Sequence, residues 1–161
     1  AAFHSAKRGE PADPPIIEAI IPSVLDPELT DAPGHHVMSL LCKYMPYDLS
    51  RGRSWDNEKD RIVEGIFSYV EHFIPRLRDI TVGYQCLTPL DLERMLGMTR
   101  GDICHGRLEP DQLFNMRPHP DAAQYATPVT GLYLCGSGAH PGGGVTGAPG
   151  HNAARRILKD A

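Results

Sequence analysis

The feature that most constrains the fold is a glycine-rich stretch near the end of the chain. Residues 131–160 read GLYLCGSGAHPGGGVTGAPGHNAARRILKD: an apolar run typical of a strand, a loop with six glycines, and a helical pattern. Glycine has no Cβ, so a ligand can approach the backbone amides of such a loop closely. The unpaired N–H groups and positive dipole end of the following helix point to the same place. The stretch therefore suits an anion or an electron-rich heteroatom.

The same loop does not open an ordinary dinucleotide-binding unit. Gly142, Gly144 and Gly147 match the pattern G-x-G-x-x-G. That fingerprint also needs a second strand with an acidic residue about 20 positions further on, and the sequence ends at Ala161. We therefore interpret strand 132–135 and helix 145–158 as the closing elements of a sheet whose first strands lie elsewhere. The alternative is a tight structural turn that binds nothing.

The rest of the chain predicts an α+β fold. Alternating or apolar runs predict three strands, the second antiparallel to a well-buried first one: Ile16–Ile21, Val37–Tyr44 and Ile80–Leu87. A helix is expected from Ser54 or Asp56 to Ile74, and a shorter one from Pro89, capped by Thr88, to Gly97. Residues 101–130 show little periodicity and are expected to be irregular. The fold class is a mixed, largely antiparallel sheet with packing helices, plus the terminal strand, glycine loop and helix.

Composition excludes several classes of protein. The net charge is −4 and no basic stripe with interleaved aromatics stands out, so a nucleic-acid partner is not expected. The apolar runs are too short to cross a bilayer, and no signal peptide opens the chain. The four cysteines are scattered and the histidines lack metal-ligand spacing, so we expect free buried thiols and no metal site. The chain is predicted to be cytoplasmic, or mitochondrial in a eukaryote.

The glycine stretch also carries a resemblance. GLYLCGSGAHPGGGVTGAPGHNAA is similar to the C-terminal flavin-contact segment of the phytoene-desaturase-like branch of the flavin-dependent amine-oxidase superfamily. HPGGGV, residues 140–145, is the most specific part. The segments PSVLDPELTDAPGHHVMSLL, the RP of Arg117 and Pro118, and TPVTGLYLCG follow in the order expected for that family. The resemblance therefore covers most of the chain.

The resemblance implies FAD binding and dehydrogenation of a substrate, with the protein supplying positioning and electrostatics. Carried over by position, Gly136 and Ser137 lie by the ribityl and pyrophosphate portion of the cofactor. Gly143, Gly144 and Val145 pass beside the isoalloxazine, and the Val145 amide at the helix start faces its N1/O2 edge.

Two further residues are expected near this loop. His140 either orients the loop or approaches the flavin, and the first role is favoured. Arg117 either bridges to the cofactor or pairs with Asp121, and the sequence does not decide between the two. No catalytic residue can be named.

The sequence departs from the family because the N-terminal Rossmann unit that holds the ADP half of FAD has no counterpart in it. We expect residues 1–110 to be the C-terminal part of a substrate-side domain, and residues 111–161 the C-terminal segment of a FAD-binding domain. The chain alone is expected to be inactive and not to retain FAD; its parent would oxidise a small hydrophobic or amine substrate. Membrane association of the parent is left open. The alternative is a non-catalytic interaction module, and self-association is expected in either case.

Overall fold

The structure, a computed structural model, describes all 161 residues and divides into two compact units, Ala1–Asp91 and Leu92–Ala161. Its helices are α1 (Ala2–Lys7), α2 (Trp55–Val70), α3 (Leu77–Ile80), α4 (Pro89–Leu96) and α5 (Ala148–Asp160), and its strands are β1 (Ile16–Ile20) and β2 (Ser39–Lys43). The predicted α+β class is confirmed. The sheet is smaller than predicted, because it has two antiparallel strands only. The assignment of 1–110 and 111–161 to substrate-side and FAD-binding domains stays a prediction.

The two strands of the first unit pair as the sequence predicts. β1 and β2 run antiparallel, with Ile16 opposite Lys43 and Ile20 opposite Ser39. The expected burial of β1 is wrong, since four of its five residues are exposed. The sheet has only two strands, and a strand needs further strands or a packed helix before its apolar face can be buried.

Helix α2 is the main packing helix of the first unit. It begins after Ser54, as predicted, and buries Trp55, Val63 and Val70. These positions are seven or eight residues apart, so they share one helix face. The indole N–H of Trp55 donates to the carbonyl of Pro46 at 3.0 Å. The helix ends at Val70, a turn earlier than expected, and Ile74 still donates its amide to the Val70 carbonyl before Pro75.

The predicted strand Ile80–Leu87 is wrong. Ile80 closes the short helix α3, and residues 81–88 have no regular secondary structure and no sheet partner. The alternation of apolar and polar residues fits a strand, but a strand also needs a neighbour that pairs with it, and β1 and β2 pair only with each other. Tyr84 instead packs edge-on against Phe67 of α2, with ring centroids 5.4 Å apart.

Helix α4 begins where its capping signal predicts. The hydroxyl of Thr88 accepts from the Asp91 amide at 3.1 Å, and the Asp91 carboxylate accepts from the Thr88 amide at 2.9 Å. This reciprocal pair satisfies two amides that a helix start leaves unpaired. Gly97, with φ of +66°, follows the last residue of α4, as expected for a helix stop.

The second unit is built around irregular backbone. Residues 102–130 contain short 3₁₀ turns and no α-helix, which confirms the expectation from the sequence. The predicted strand 132–135 is reduced to one antiparallel bridge, Ala126 to Tyr133. A small core of Tyr125, Ala139 and Ala153, with Leu134 against it, joins this segment to α5.

Candidate functional site

The first half of the glycine loop is folded by two successive turns. The Ala139 amide donates to the Gly136 carbonyl at 2.9 Å, and the Gly142 amide donates to the Ala139 carbonyl at 2.8 Å. Ala139 is buried in the core of the second unit. Gly142 has φ of +103°, in the region that favours glycine. The loop therefore has one defined path, fixed by its own backbone and by one small buried side chain.

The side chain of Arg117 holds the glycine loop in this conformation. Its side chain is completely buried, with 0% of its surface exposed. Its guanidinium donates to backbone carbonyls only: to Ser137 at 2.8 Å, to Cys104 at 2.7 Å, and at longer range to His105 and Gln112. A buried charge needs such partners, because leaving water is costly unless hydrogen bonds replace those of the solvent.

The expected pairing of Arg117 with Asp121 is wrong. The carboxylate of Asp121 lies 3.6 Å from the ring of His119 instead, and both side chains are exposed. Arg117 points inward, where the carbonyls of the irregular segment converge and no carboxylate is present. The other expectation, a bridge from Arg117 to the cofactor, stays a prediction.

Tyr125 ties the loop to helix α5. Its hydroxyl donates to the His140 carbonyl at 3.0 Å and accepts from the side-chain amide of Asn152 at 2.8 Å. The sequence reasoning missed both Tyr125 and Asn152. No local pattern marks them, because the three partners are 12 to 27 residues apart along the chain and meet only in the folded unit.

The second half of the loop presents bare amides to solvent. Gly143, Gly144 and Val145 are exposed, and none of their N–H groups donates within the chain. Ser137 lies beside them, since a Cβ placed on Gly143 would stand 3.7 Å from its hydroxyl oxygen. The structure thus brings Ser137 and Gly143 together. Three successive donors without side-chain cover form a surface that an electron-rich planar group can approach.

The start of α5 differs from the expectation. The helix begins at Ala148, so Val145 lies three residues before it and its side chain is fully exposed. The left-handed Gly147, φ +68°, explains the late start, since it interrupts helical backbone just before Ala148, and Pro149 lies in the first turn of the helix, where proline is tolerated. The hydroxyl of Thr146 accepts from the Ala148 amide at 3.2 Å. The positive end of the α5 dipole therefore lies next to the bare amides.

His140 connects the loop to an aromatic neighbour. Its ring lies 5.6 Å from that of Phe114, between centroids, and its Nδ1 is buried without a hydrogen-bond partner. Its carbonyl takes the Tyr125 hydroxyl. These contacts are the ones a loop-orienting residue would make. The contacts of His140, and of the other five predicted residues, with a flavin stay predictions.

The structure contains neither a cluster of metal ligands nor a disulfide. The structure has no group of three or more His, Cys, Asp or Glu side chains that could hold a metal ion. All four cysteines are free, but Cys104 and Cys135 are exposed, so their expected burial is wrong. Burial raises the pKa of the half-buried thiols of Cys42 and Cys86 in the first unit. None of the helices has the length and apolar character needed to span a membrane.

Comparison with known proteins gives relatives named as oxidoreductases. Pyridine nucleotide-disulfide oxidoreductase domain-containing protein 2 of Rattus norvegicus is 48% identical over 160 residues, covering 99% of this chain and 27% of the relative. A limonene dehydrogenase component of Castellaniella defragrans is 35% identical over 102 residues, 63% of this chain and 18% of the relative. Phytoene desaturase (lycopene-forming) of Pantoea ananas is 33% identical over 97 residues, 60% and 19% respectively.

These relatives confirm the resemblance seen in the glycine stretch. The chain spans about a quarter of the length of the curated relatives it matches. No protein-family model matches it, and no solved structure does.

Proposed function

We propose that the chain, whose relatives are named as oxidoreductases, is the C-terminal part of a FAD-dependent oxidoreductase of the phytoene-desaturase-like group. The observation that carries the proposal is the row of exposed, unpaired amides at Gly143, Gly144 and Val145, beside the positive end of α5. This row falls in the segment that resembles the flavin contact of that group. The donor set fits a flavin, whose ring edge is flat and accepts hydrogen bonds.

The residues of the loop have distinct tasks in this proposal. FAD, when bound, would accept a hydride from the substrate. The amides of Gly143 to Val145 and the α5 dipole would stabilise negative charge on the group they face. Gly136 and Ser137 would hold a more polar part of the cofactor. Arg117 and Tyr125 fix the path of the loop, so the donors are in place before the cofactor arrives.

The names of the relatives favour an apolar substrate over an amine. Limonene and phytoene, in the names of two of them, are hydrocarbons. We therefore propose a small hydrophobic substrate for the parent, oxidised with few side-chain catalysts. The chain alone lacks the rest of such a protein and is proposed to be inactive.

The free cysteines bear on the compartment. Four thiols without a disulfide, two of them exposed, suit a reducing environment such as the cytoplasm.

The test is the flavin content of the whole gene product with Gly143 replaced by valine. The backbone of Gly143 is outside the left-handed region, and a Cβ there would meet Ser137 at an ordinary 3.7 Å. The chain itself therefore has room for a Cβ at this position, so loss of the cofactor from the folded variant would show that the cofactor occupies the space beside the amides. We expect the ratio of flavin absorbance to protein absorbance in the purified variant to fall at least about tenfold, because a branched side chain would cover the donors.

Gly138→Ala is the matched control, since a Cβ at Gly138 meets nothing within 4 Å and the site assigns it no cofactor contact. Its flavin content should equal that of the wild type. A folded Gly143→Val protein with a full complement of flavin would contradict the placement. Gly144→Val is a poorer test, because Gly144 has φ of +114° and any side chain there strains the backbone.

The second candidate function is a non-catalytic interaction module. It is favoured by large apolar side chains that the chain leaves in solvent in both units, among them Leu25, Val82 and Leu158. Exposed apolar surface of this kind marks contact surfaces when it gathers into patches. The two candidates differ in whether flavin contacts appear in the whole gene product.

A further inference from the structure

The second unit contains an open pocket of about 660 Å³ that the proposed flavin contact does not use. Its volume lies within the range of small-molecule sites, about 300–1,000 Å³. Of the six residues assigned to the cofactor, only His140 lines it. The bare amides of Gly143 to Val145 do not, so the pocket and the flavin contact are separate surfaces.

One wall of the pocket is aromatic. The rings of Phe114 and His140 lie 5.6 Å apart at an interplanar angle of 39°, and Tyr125 also lines the pocket. Phe114 and Tyr125 both have positive φ, +51° and +71°. A residue other than glycine adopts a positive φ only at a cost in free energy, and such strained residues are concentrated at binding sites. The wall offers ring faces against which another flat ring can stack.

Helix α5 supplies the cationic part of the pocket lining. Asn152, Arg155, Arg156 and Lys159 of α5 line the pocket, and their spacing of three, four and seven residues places them on one helix face. Arg156 is paired with Asp160 at 2.7 Å, whereas Arg155 and Lys159 form no salt bridge, and Lys159 acts on the Asp160 carboxylate only at longer range. No aspartate or glutamate lines the pocket.

The two unpaired cations need an explanation. Like charges four residues apart on a helix destabilise it unless an anion lies between them. The negative end of the helix dipole favours a cation in the last turn and so accounts for Lys159. Arg155 lies five residues before the end of α5, beyond the reach of that effect. Its position facing the pocket points to an anionic ligand instead.

We propose that this pocket binds a phosphate monoester that carries a flat aromatic ring, the chemistry of a nucleoside monophosphate. The ring would stack on Phe114 and His140, and the phosphate would lie against Arg155 and Lys159. A phosphate monoester carries a charge of about −1.5 to −2 near neutral pH, which matches two unpaired cations better than a single carboxylate does. Arginine also matches phosphate with paired N–H donors. The proposal stands apart from the flavin contact.

The test is a calorimetric titration of the chain with AMP, compared with adenosine, which lacks the phosphate, and ribose 5-phosphate, which lacks the ring. We expect AMP to bind at least about tenfold more tightly than either, because a charged hydrogen bond and a stacked ring each contribute more than a factor of five. The affinity for AMP should fall with added salt, since the cations are exposed.

Variants assign the binding to the pocket. Arg155→Gln combined with Lys159→Gln should weaken AMP at least about tenfold without affecting the fold, because both side chains are exposed. Phe114→Leu should weaken AMP and leave ribose 5-phosphate unchanged. Arg61→Gln, an exposed cation on α2 of the first unit, is the control for a lost charge and should change nothing. Gly143→Val should also leave AMP binding intact, which separates this site from the flavin contact.

Equal binding of AMP and adenosine would overturn the proposal, as would an affinity that the double variant leaves unchanged. An effect of Gly143→Val as large as that of the double variant would place AMP on the glycine loop and would also overturn it. None of these outcomes changes the flavin content on which the proposed function depends.

Discussion

At the residue scale, the buried charge of Arg117 does most to shape the second unit. The guanidinium is surrounded by carbonyl oxygens from Cys104, Gln112 and Ser137, three points that are far apart along the chain. Its fixed fork of five donors suits several acceptors at once. One side chain thus gathers irregular backbone that has no helix or sheet to satisfy its polar groups.

Arg117→Met should destabilise the chain. Methionine fills much of the space but leaves the carbonyls of Cys104 and Ser137 without donors, and each such loss costs about 1–3 kcal/mol. We expect the free energy of unfolding, measured by urea denaturation, to fall by about 2–4 kcal/mol. Arg117→Lys should lie between this variant and the wild type, because lysine keeps the charge and lacks the planar fork.

The control for this prediction is Arg107→Met. Arg107 is exposed and pairs with Asp111 at 2.7 Å, and exposed pairs contribute about 0–1 kcal/mol. If Arg117→Met were no less stable than Arg107→Met, the guanidinium would not be organising the unit.

The two kinds of site residue differ in how far the sequence could predict them. The glycines of the loop are visible because the permissive backbone is a property of the residue itself. Tyr125 and Asn152 are not, since their role depends on a hydroxyl and an amide meeting across 27 positions of chain. The sequence singles out Arg117, but its partners are backbone carbonyls, and no sequence pattern predicts which carbonyls those are.

At the element scale, local signals predicted helices α2 and α4 well, missed the short helices α1 and α3, and predicted the sheet poorly. The cap, proline and glycine signals of α4 and the apolar spacing of α2 act within a few residues, so they survive in the structure. A strand depends on a distant partner. The alternating segment 80–87 lacks one and does not form a strand, and 132–135 keeps a single bridge. The antiparallel pair β1 and β2 is the part of the predicted sheet that is confirmed.

The cap of α4 predicts an acid-dependent stability. The Thr88 amide first, and then the Lys59 ammonium at 2.9 Å, lower the pKa of the Asp91 carboxyl from 3.8 to about 2. A carboxyl with a lowered folded-state pKa stabilises the fold at pH values above its unfolded pKa. The contribution is lost as the pH falls from about 4 through about 2.

Asp91→Asn tests this, because asparagine keeps an acceptor oxygen and loses the charge. We expect the variant to be less stable than the wild type by about 1 kcal/mol at neutral pH, allowing for partial solvent screening of the pair. Urea denaturation at several pH values should show this difference shrinking as the pH approaches 2. Asp121→Asn, at an exposed carboxylate, is the control. A difference between Asp91→Asn and the wild type that stayed constant down to the lowest pH would show that the charge has no part in the cap.

At the scale of the whole molecule, the chain has a small core and leaves many large apolar side chains exposed to solvent. Leu25 and Val82 are each 90% exposed, and Phe73 is 71% exposed. Single exposed apolar side chains are common, but here they occur in a chain with few fully buried ones. The relatives are longer, since the match covers 27% of the length of one of them. Under either candidate function, we therefore expect these side chains to be covered, either by the rest of a longer protein or by another molecule.

The chain alone should consequently self-associate. Sedimentation velocity over a series of concentrations should show the mean sedimentation coefficient rising with concentration. Association buries apolar surface, and each Å² buried stabilises the complex by about 25 cal/mol. Val82→Glu should reduce this rise, since a charge at an exposed apolar position disfavours burial. Thr130→Glu adds the same charge at an exposed polar position and should leave it unchanged. A chain that stays monomeric at every concentration would remove the support for an interaction module. The oxidoreductase proposal would still be tested separately, by the flavin content of the whole gene product.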